Sequence, residues 1–274
     1  MADLEPIWHR LRNGRRTIAV PDGAPPRLPD RCGGGLRLDA AKCTTGCAAC
    51  VAACPTAAVS RILPDGPTRL DLGRCVDCAG CVEACPAGAI TWTGDHRLAA
   101  RRREDLVLGG AGAEEVRLAE QLDSRLRSLF GRSLRLRQVS AGGCNACEAD
   151  TNVLGTIGWD LGRFGIQFVA SPRHADGLLV TGPVTANMRL ALEKTYAAVP
   201  DPKLVIAVGA CAIAGGPFAG NAPVADGVQD VLPVDLFIPG CPPHPLTILD
   251  GLLRLLGRLG ERGAAGAAAS SGPA

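Results

Sequence analysis

The second half of the chain alternates short apolar runs with stretches of helical periodicity. The apolar runs predict strands over residues 134–139, 177–182, 203–209 and 234–240. The helical stretches lie near residues 151–164, 185–198 and 245–259. Because strands and helices alternate along this half, we predict an open, largely parallel α/β sheet with helices on both faces.

The middle of the chain has a different pattern. Leucine and valine recur at roughly helical spacing over residues 114–130, after the glycine-rich break GGAGA at 109–113. We therefore predict a helical connector over residues 106–130. This connector would join an N-terminal domain, residues 1–105, to a C-terminal domain, residues 131–260.

The two ends of the chain differ from the rest. The tail, residues 261–274, consists of small and polar residues and is predicted to be disordered. The N-terminal arm mixes apolar and basic side chains: Ile7, Trp8, Leu11 and Ile18 with Arg10, Arg12, Arg15 and Arg16. This mixture allows two interpretations, a short amphipathic surface segment or an extended arm that packs on a partner.

Composition and charge narrow the functional classes. With 274 residues the chain can form two modest domains that each bury a core. A net charge of +2 and an aromatic content of 3% argue against nucleic-acid binding. The sequence has no apolar run of about 18 residues and no secretory signal at its start, so we expect a cytoplasmic protein without a transmembrane helix.

The thirteen cysteines carry the chemical information in the sequence. Nine lie between Cys32 and Cys85, and four lie between Cys144 and Cys241. Disulfide bonds are rare in the reducing cytoplasm, so cysteines at regular spacing there indicate metal binding. Iron–sulfur clusters and zinc are the two candidates.

The segment CVDCAGCVEACP, residues 75–86, has the C-x2-C-x2-C-x3-C-P spacing of bacterial ferredoxins. In two-cluster ferredoxins the first three cysteines of such a run bind one [4Fe–4S] cluster and the fourth binds the other cluster. Zinc is the alternative, but zinc sites usually combine two separated C-x2-C pairs. One predicted ligand set is therefore Cys75, Cys78, Cys81 and Cys54.

The segment KCTTGCAACVAACP, residues 42–55, is a similar run with one extra residue in its first gap. Gly46 gives the backbone the freedom to bulge there. By the same exchange, the other predicted ligand set is Cys43, Cys47, Cys50 and Cys85. Cys32 remains an alternative to Cys43 as a ligand.

Four more cysteines follow predicted strands in glycine-rich loops. Cys144 and Cys147 follow the first strand, while Cys211 and Cys241 follow the third and the fourth. The carboxyl ends of parallel strands meet at one edge of the sheet, so these thiols are expected to converge on a third [4Fe–4S] cluster. The alternative is that Cys211 and Cys241 are small buried apolar residues.

These motifs resemble two known families. The first hundred residues resemble the two-cluster ferredoxin subunits of complex-I-like and formate-hydrogenlyase-like assemblies, through the paired cysteine runs, PTAAV, PAGAI and HRLAARRREDLVL. Residues 131–258 resemble the small subunit of nickel–iron hydrogenases and the homologous 20 kDa subunit of complex I, through CNAC, VTGPVT, VIAVGACA and IPGCPP. The second resemblance implies a flavodoxin-like domain, and Cys144, Cys147, Cys211 and Cys241 match its cluster ligands.

Details of the second segment favour the energy-converting, membrane-bound hydrogenase branch. Complex I subunits typically have adjacent cysteines where this chain has CNAC, and Glu148 and Asp150 match acidic positions of that branch. His244 stands where the relatives more often have Arg or Lys. A protonatable imidazole there would make the cluster potential depend on pH, unless His244 is simply a turn residue between prolines.

The resemblance implies an electron-transfer subunit without catalytic residues of its own. Its expected partners are a hydrogenase-like large subunit, a redox donor or acceptor protein and, indirectly, membrane subunits at the inner face of the cell membrane. Two alternatives remain, the iron–sulfur subunit of a complex-I-like quinone oxidoreductase and a zinc-binding scaffold.

Overall fold

A computed structural model of the chain describes residues 4–14, 16–21, 23, 27–29, 32–44, 46–61, 66–110, 114–131 and 133–259. Its strands are β1 (Leu36–Leu38), β2 (Val59–Arg61), β3 (Thr68–Asp71), β4 (Ile90–Trp92), β5 (Val107–Gly109), β6 (Leu134–Ser140), β7 (Ile166–Phe168), β8 (Gly177–Thr181), β9 (Leu204–Val208) and β10 (Leu236–Ile238). Its α-helices are α1 (Glu5–Asn13), α2 (Ala49–Ala52), α3 (Gly80–Glu83), α4 (Ser124–Phe130), α5 (Ala146–Val153), α6 (Ala186–Ala198), α7 (Ala210–Ala214) and α8 (Pro245–Leu255). The predicted disorder of residues 261–274 concerns a segment outside these described residues.

The largest sheet is parallel throughout and has the strand order β10-β9-β8-β6-β7. The central strands β8 and β9 are buried along their whole length, because helices cover both of their faces. On one face Leu178 packs in the same apolar cluster as Leu192 of α6 and Ile213 of α7. On the other face Leu179 packs in the same apolar cluster as Leu249 of α8. The predicted parallel α/β sheet is confirmed.

Two features of this half differ from the prediction. The helix expected near residues 151–164 begins earlier, at Ala146, and ends at Val153, since the chain then turns through Gly155 and Gly158. The edge strand β7 was not predicted, because it is only three residues long and offers too few positions for a clear alternation.

The N-terminal half contains two small antiparallel sheets. Strand β1 pairs with β4, and β3 lies between β2 and β5. The short helices α2 and α3 each contain one cysteine of a cysteine run, Cys50 and Cys81 respectively. Buried side chains of these sheets, such as Leu38, Leu70 and Ile90, belong to the same apolar cluster as one face of the parallel sheet.

The segment between the two halves is mostly not helical, in contrast to the prediction for residues 106–130. Among the residues of this segment that the structure describes, α-helix is confined to α4, Leu106 ends a short 3-10 helix, and residues 107–109 form β5. Within residues 114–123, two backbone N–H groups form hydrogen bonds with distant parts of the chain. Ala119 N–H donates to the carbonyl of Ala99, and Leu122 N–H donates to the carbonyl of Leu255. These long-range bonds replace the helical ones that the spacing of leucines predicted.

The edge strand β10 is covered by a stretch of chain that precedes the connector. Ala100 forms an antiparallel bridge with Phe237, and Arg101 Nε donates to the carbonyl of Asp235 over 2.8 Å. Ala99 is fully buried against Gly251 of α8. This stretch therefore completes the core of the C-terminal half, although it lies N-terminal to residue 105.

Residues 5–13 of the N-terminal arm form the helix α1, while Ile18 lies outside this helix and its N–H donates to Gly158. The apolar side chains of α1, Ile7, Trp8 and Leu11, lie at helical spacing and are 57–74% exposed. Arg10 and Arg12 lie in its last turn. The amphipathic interpretation agrees with this helix. Within the described part of the chain, no helix is long and apolar enough to cross a bilayer.

Candidate metal centres

Four thiols meet at the carboxyl edge of the parallel sheet. Cys144 and Cys147 follow β6, Cys211 lies in α7 after β9, and Cys241 follows β10. Burial raises the pKa of Cys147 to about 12, and the charges of Glu148 and Cys211 add to the effect. The pKa of Cys211 is raised to about 11 by burial and then by Cys241 and Cys144. The charges of the other three cysteines all contribute to the raised pKa of Cys147, so the four thiols lie close together.

Two glycines keep space open beside these sulfur atoms. A Cβ on Gly209 would lie 2.5 Å from Cys147 Sγ, and a Cβ on Gly216 would lie 2.7 Å from Cys211 Sγ. Both residues have positive φ, +90° and +56°. The loops after β9 and β10 are also joined, since Ala210 N–H donates to the Gly240 carbonyl over 2.9 Å. Backbone therefore surrounds these thiols closely, in a cradle where Gly209 and Gly216 have no room for a side chain.

The second cysteine run gathers around Cys81. Burial raises the pKa of Cys81 to about 11, followed by the charges of Cys54 and Cys78. Burial also raises the pKa of Cys75, and Cys81 is among the groups that add to it. The fold thus brings Cys54, from the first run, beside the first three cysteines of the second run.

Cys43 of the first run and Cys85 of the second lie near Cys50. The pKa of Cys50 is raised by burial first, then by the charge of Cys85, and further by that of Cys43. Gly46 has φ +78° and open space around its Cα, as expected for a bulge in the widened gap. Cys32 lies just before β1, where its backbone N–H donates to the Pro29 carbonyl. Cys50 also adds to the raised pKa of Cys81, so the two thiol groups are neighbours.

Two of the three non-cysteine candidates, Glu148 and His244, have hydrogen bonds in the structure. Thr181 Oγ1 donates to Glu148 Oε1 over 2.7 Å. Burial would raise the pKa of Glu148, but hydrogen bonds from Ser140 and Thr181 hold it below the usual value. Burial raises the pKa of Asp150.

His244 caps α8, because its Nδ1 accepts the Leu246 N–H over 3.1 Å. Its ring also meets Trp159 edge-on, with the ring centroids 6.0 Å apart. Burial, and then the charge of His96, lower the pKa of His244. The imidazole therefore titrates below the value of about 6.5 that is usual for histidine.

Asp77 is a residue that the sequence did not single out. Its Oδ1 lies 3.6 Å from Cys75 Sγ, and its Oδ2 accepts the backbone N–H of Cys241 over 3.0 Å. The only signal in the sequence is a charged side chain between two cysteines, in CVDC. That signal says nothing about a contact with a residue 164 positions away.

The donor set fits iron–sulfur clusters. Cysteine thiolates are the usual ligands of [4Fe–4S] clusters, and a bound metal deprotonates thiols that burial otherwise keeps protonated. Gly209 and Gly216 leave space beside the sulfur atoms of Cys147 and Cys211, which a cluster needs. Among the described residues, no three His, Cys, Asp or Glu side chains converge on a single ion-sized position.

Family models match both the N-terminal and the C-terminal half of the chain. Residues 35–86 match the model of the 4Fe-4S dicluster domain family, and residues 144–255 match that of the NADH ubiquinone oxidoreductase 20 Kd subunit family.

Three relatives have related names. A probable membrane-bound hydrogenase subunit mbhJ of Pyrococcus furiosus is 41% identical over 150 residues, which cover 54% of this chain and 89% of the relative. Formate hydrogenlyase subunit 7 of Escherichia coli is 44% identical over 163 residues, or 57% of this chain and 64% of the relative. An NADH-quinone oxidoreductase subunit of Heliobacterium modesticaldum is 42% identical over 118 residues, or 43% of this chain and 67% of the relative.

The predicted resemblances are confirmed, and iron–sulfur binding follows from the dicluster match together with the cysteine geometry. The chain belongs to the family of the NADH ubiquinone oxidoreductase 20 Kd subunit and its membrane-bound hydrogenase counterparts, here preceded in the same polypeptide by a 4Fe-4S dicluster segment.

Proposed function

We propose that this chain is the electron-transfer subunit of a membrane-associated, hydrogenase-like oxidoreductase complex. It would relay electrons through three [4Fe–4S] clusters and carry no catalytic residue itself. Cluster 1 would be bound by Cys43, Cys47, Cys50 and Cys85. Cluster 2 would be bound by Cys75, Cys78, Cys81 and Cys54, and cluster 3 by Cys144, Cys147, Cys211 and Cys241.

The order of the thiol groups carries this proposal. The charge of Cys50, in the first group, adds to the raised pKa of Cys81, in the second group. Asp77, which lies between two cysteines of the second group, accepts the backbone N–H of Cys241 in the third group. The three groups therefore follow one another through the molecule. Such a series suits transfer of single electrons between neighbouring clusters.

The names of the relatives support the proposed partner subunits. Relatives named as subunits of a membrane-bound hydrogenase and of formate hydrogenlyase imply a catalytic large subunit next to cluster 3. The complex would lie peripherally on the inner face of the cell membrane, and the exposed apolar face of α1 suits a contact with lipid or with a neighbouring subunit. A redox protein would exchange electrons with cluster 1.

The proposed domains are an N-terminal ferredoxin-like dicluster domain, residues 1–105, and a flavodoxin-like domain, residues 131–260. Strand β5 extends the three-stranded sheet of the N-terminal half to Gly109, and residues 99–101 pack on the second domain. The two domains would therefore be tightly joined, which keeps the distance between clusters 2 and 3 constant.

Hydrogen gas tests the proposed function directly. In the anaerobically purified complex we expect hydrogen to reduce the clusters of this chain, measured by the loss of their visible absorbance, and we expect nickel in the large subunit. Addition of carbon monoxide, which competes at nickel–iron sites, serves as the control and should block the reduction. Clusters that stay oxidised under hydrogen would contradict the proposal.

Quinone chemistry is the second candidate, since the family model that matches residues 144–255 is that of a complex I subunit. The CNAC spacing favours the hydrogenase branch instead, because complex I subunits typically have adjacent cysteines. In the quinone case the same purified complex would contain no nickel, and a quinol would reduce the clusters where hydrogen does not.

A further inference from the structure

The carboxylate of Asp77 touches the ligand loops of two different thiol groups. It lies 3.6 Å from Cys75 Sγ and accepts the backbone N–H of Cys241 over 3.0 Å. The residue has φ +53°, a left-handed conformation that aspartate tolerates better than most residues. This backbone turn places the carboxylate between the two loops.

Further contacts hold the same loop against the C-terminal half. A Cβ on Gly73 would lie 2.7 Å from Ile213 of α7, so the chain here packs directly on the helix that contains Cys211. Asp71 Oδ1 accepts the Gly73 N–H over 2.9 Å, and Asp71 Oδ2 pairs with Arg103 over 2.6 Å. The loop is thus anchored at its start by Gly73 and at its other end by Asp77.

We propose that Asp77 is a positioning residue that fixes the second thiol group, Cys54, Cys75, Cys78 and Cys81, against the loop of Cys241. A hydrogen bond from a backbone N–H to a carboxylate is roughly twice as strong as one between neutral groups. The electron-transfer consequence rests on the proposed function: the cluster of this group exchanges electrons directly with the C-terminal cluster. The hydrogen bond itself does not depend on that function.

The carboxylate also has an electrostatic effect on both clusters. Cluster potentials depend on nearby charge, and a negative charge disfavours the added electron. Asp77 contacts a ligand of each cluster, so its charge lowers both potentials together. Because each carboxylate oxygen contacts one of the two loops, the test must be local to these loops.

The test compares the full chain, purified anaerobically with its clusters, with Asp77→Ala and Asp77→Asn. Amide hydrogen exchange resolved to Cys241 should become about tenfold faster in Asp77→Ala, since the N–H loses its acceptor. Asp77→Asn keeps an acceptor oxygen and should show a smaller increase. In redox titrations Asp77→Asn should shift the potentials of both clusters upward.

Glu83→Gln is the matched control, because Glu83 is an exposed carboxylate of the same cysteine run. It should leave the exchange of the Cys241 amide and the potential of the C-terminal cluster unchanged. Unchanged exchange at Cys241 in Asp77→Ala, or a potential shift confined to one cluster in Asp77→Asn, would overturn the proposal. A chain without iron would instead overturn the proposed function, while the exchange measurement would still report on Asp77.

Discussion

Replacing Gly209 by alanine is expected to remove cluster 3 and to leave clusters 1 and 2 in place. The new Cβ would lie 2.5 Å from Cys147 Sγ, in the space that the cluster ligand needs. The neighbouring backbone cannot move away easily, because Gly209 N–H donates to Ile238 and Ala210 N–H donates to Gly240. Iron should fall from about twelve to about eight atoms per chain.

Gly220→Ala is the control for alanine at a positive φ without a clash. Gly220 also has positive φ, +78°, but no atom lies within 4 Å of a Cβ placed there. Both variants bear backbone strain at positive φ, on the order of 1–3 kcal/mol and largest at Gly209, whose φ +90° and ψ +157° glycine adopts almost alone. Only Gly209→Ala adds the clash with Cys147 Sγ. If the two variants kept the same iron content, the cradle around the third thiol group would not be a cluster site.

Replacing Cys81 by alanine is expected to interrupt electron transfer between clusters 1 and 3. Cys81 is buried, and the charges of Cys54 and Cys78 in its own group and of Cys50 in the neighbouring group act on it. Without this ligand cluster 2 should be lost. Hydrogen should then still reduce cluster 3 through the large subunit, while cluster 1 stays oxidised during turnover. Electron paramagnetic resonance at successive times after hydrogen addition distinguishes the clusters.

Cys32→Ala is the matched control for that experiment. Cys32 is outside the proposed ligand sets, so the variant should keep all clusters and the wild-type rate of cluster 1 reduction. Loss of cluster 1 in this control would instead make Cys32 a ligand in place of Cys43. Reduction of cluster 1 at the wild-type rate in Cys81→Ala would contradict the proposed order.

Point substitutions test the relay better than a truncation does. Removal of residues 1–105 would delete Ala100, the bridge partner of Phe237 at the sheet edge, and Ala99, which is buried against Gly251. The truncated chain would lose part of its core along with its clusters. Its failure would not report on electron transfer alone.

The sequence predicted those parts of the molecule that local patterns determine. Continuous apolar runs predicted β8 and β9, and glycine-rich loops after strands predicted where the C-terminal thiols lie. The paired cysteine runs predicted that Cys54 lies beside the second run, where the structure has it close to Cys81.

Long-range contacts account for what the sequence did not predict. The spacing of leucines over 114–130 predicted a helix, but backbone bonds to Ala99 and Leu255 hold residues 114–123 in another conformation. The bridge between Ala100 and Phe237 and the bond between Asp77 and Cys241 leave no periodic trace in the sequence. The acceptor role of His244 at the start of α8 is a local contact with Leu246; it was not predicted because histidine is not among the usual N-cap residues.

The iron and acid-labile sulfide content of the anaerobically purified chain tests the three-cluster relay most directly. Three [4Fe–4S] clusters require about twelve irons and about twelve sulfides per chain. A zinc-binding scaffold would contain zinc and no sulfide. We predict iron and sulfide in equal amounts near twelve, with zinc at trace level; zinc without sulfide would contradict the relay.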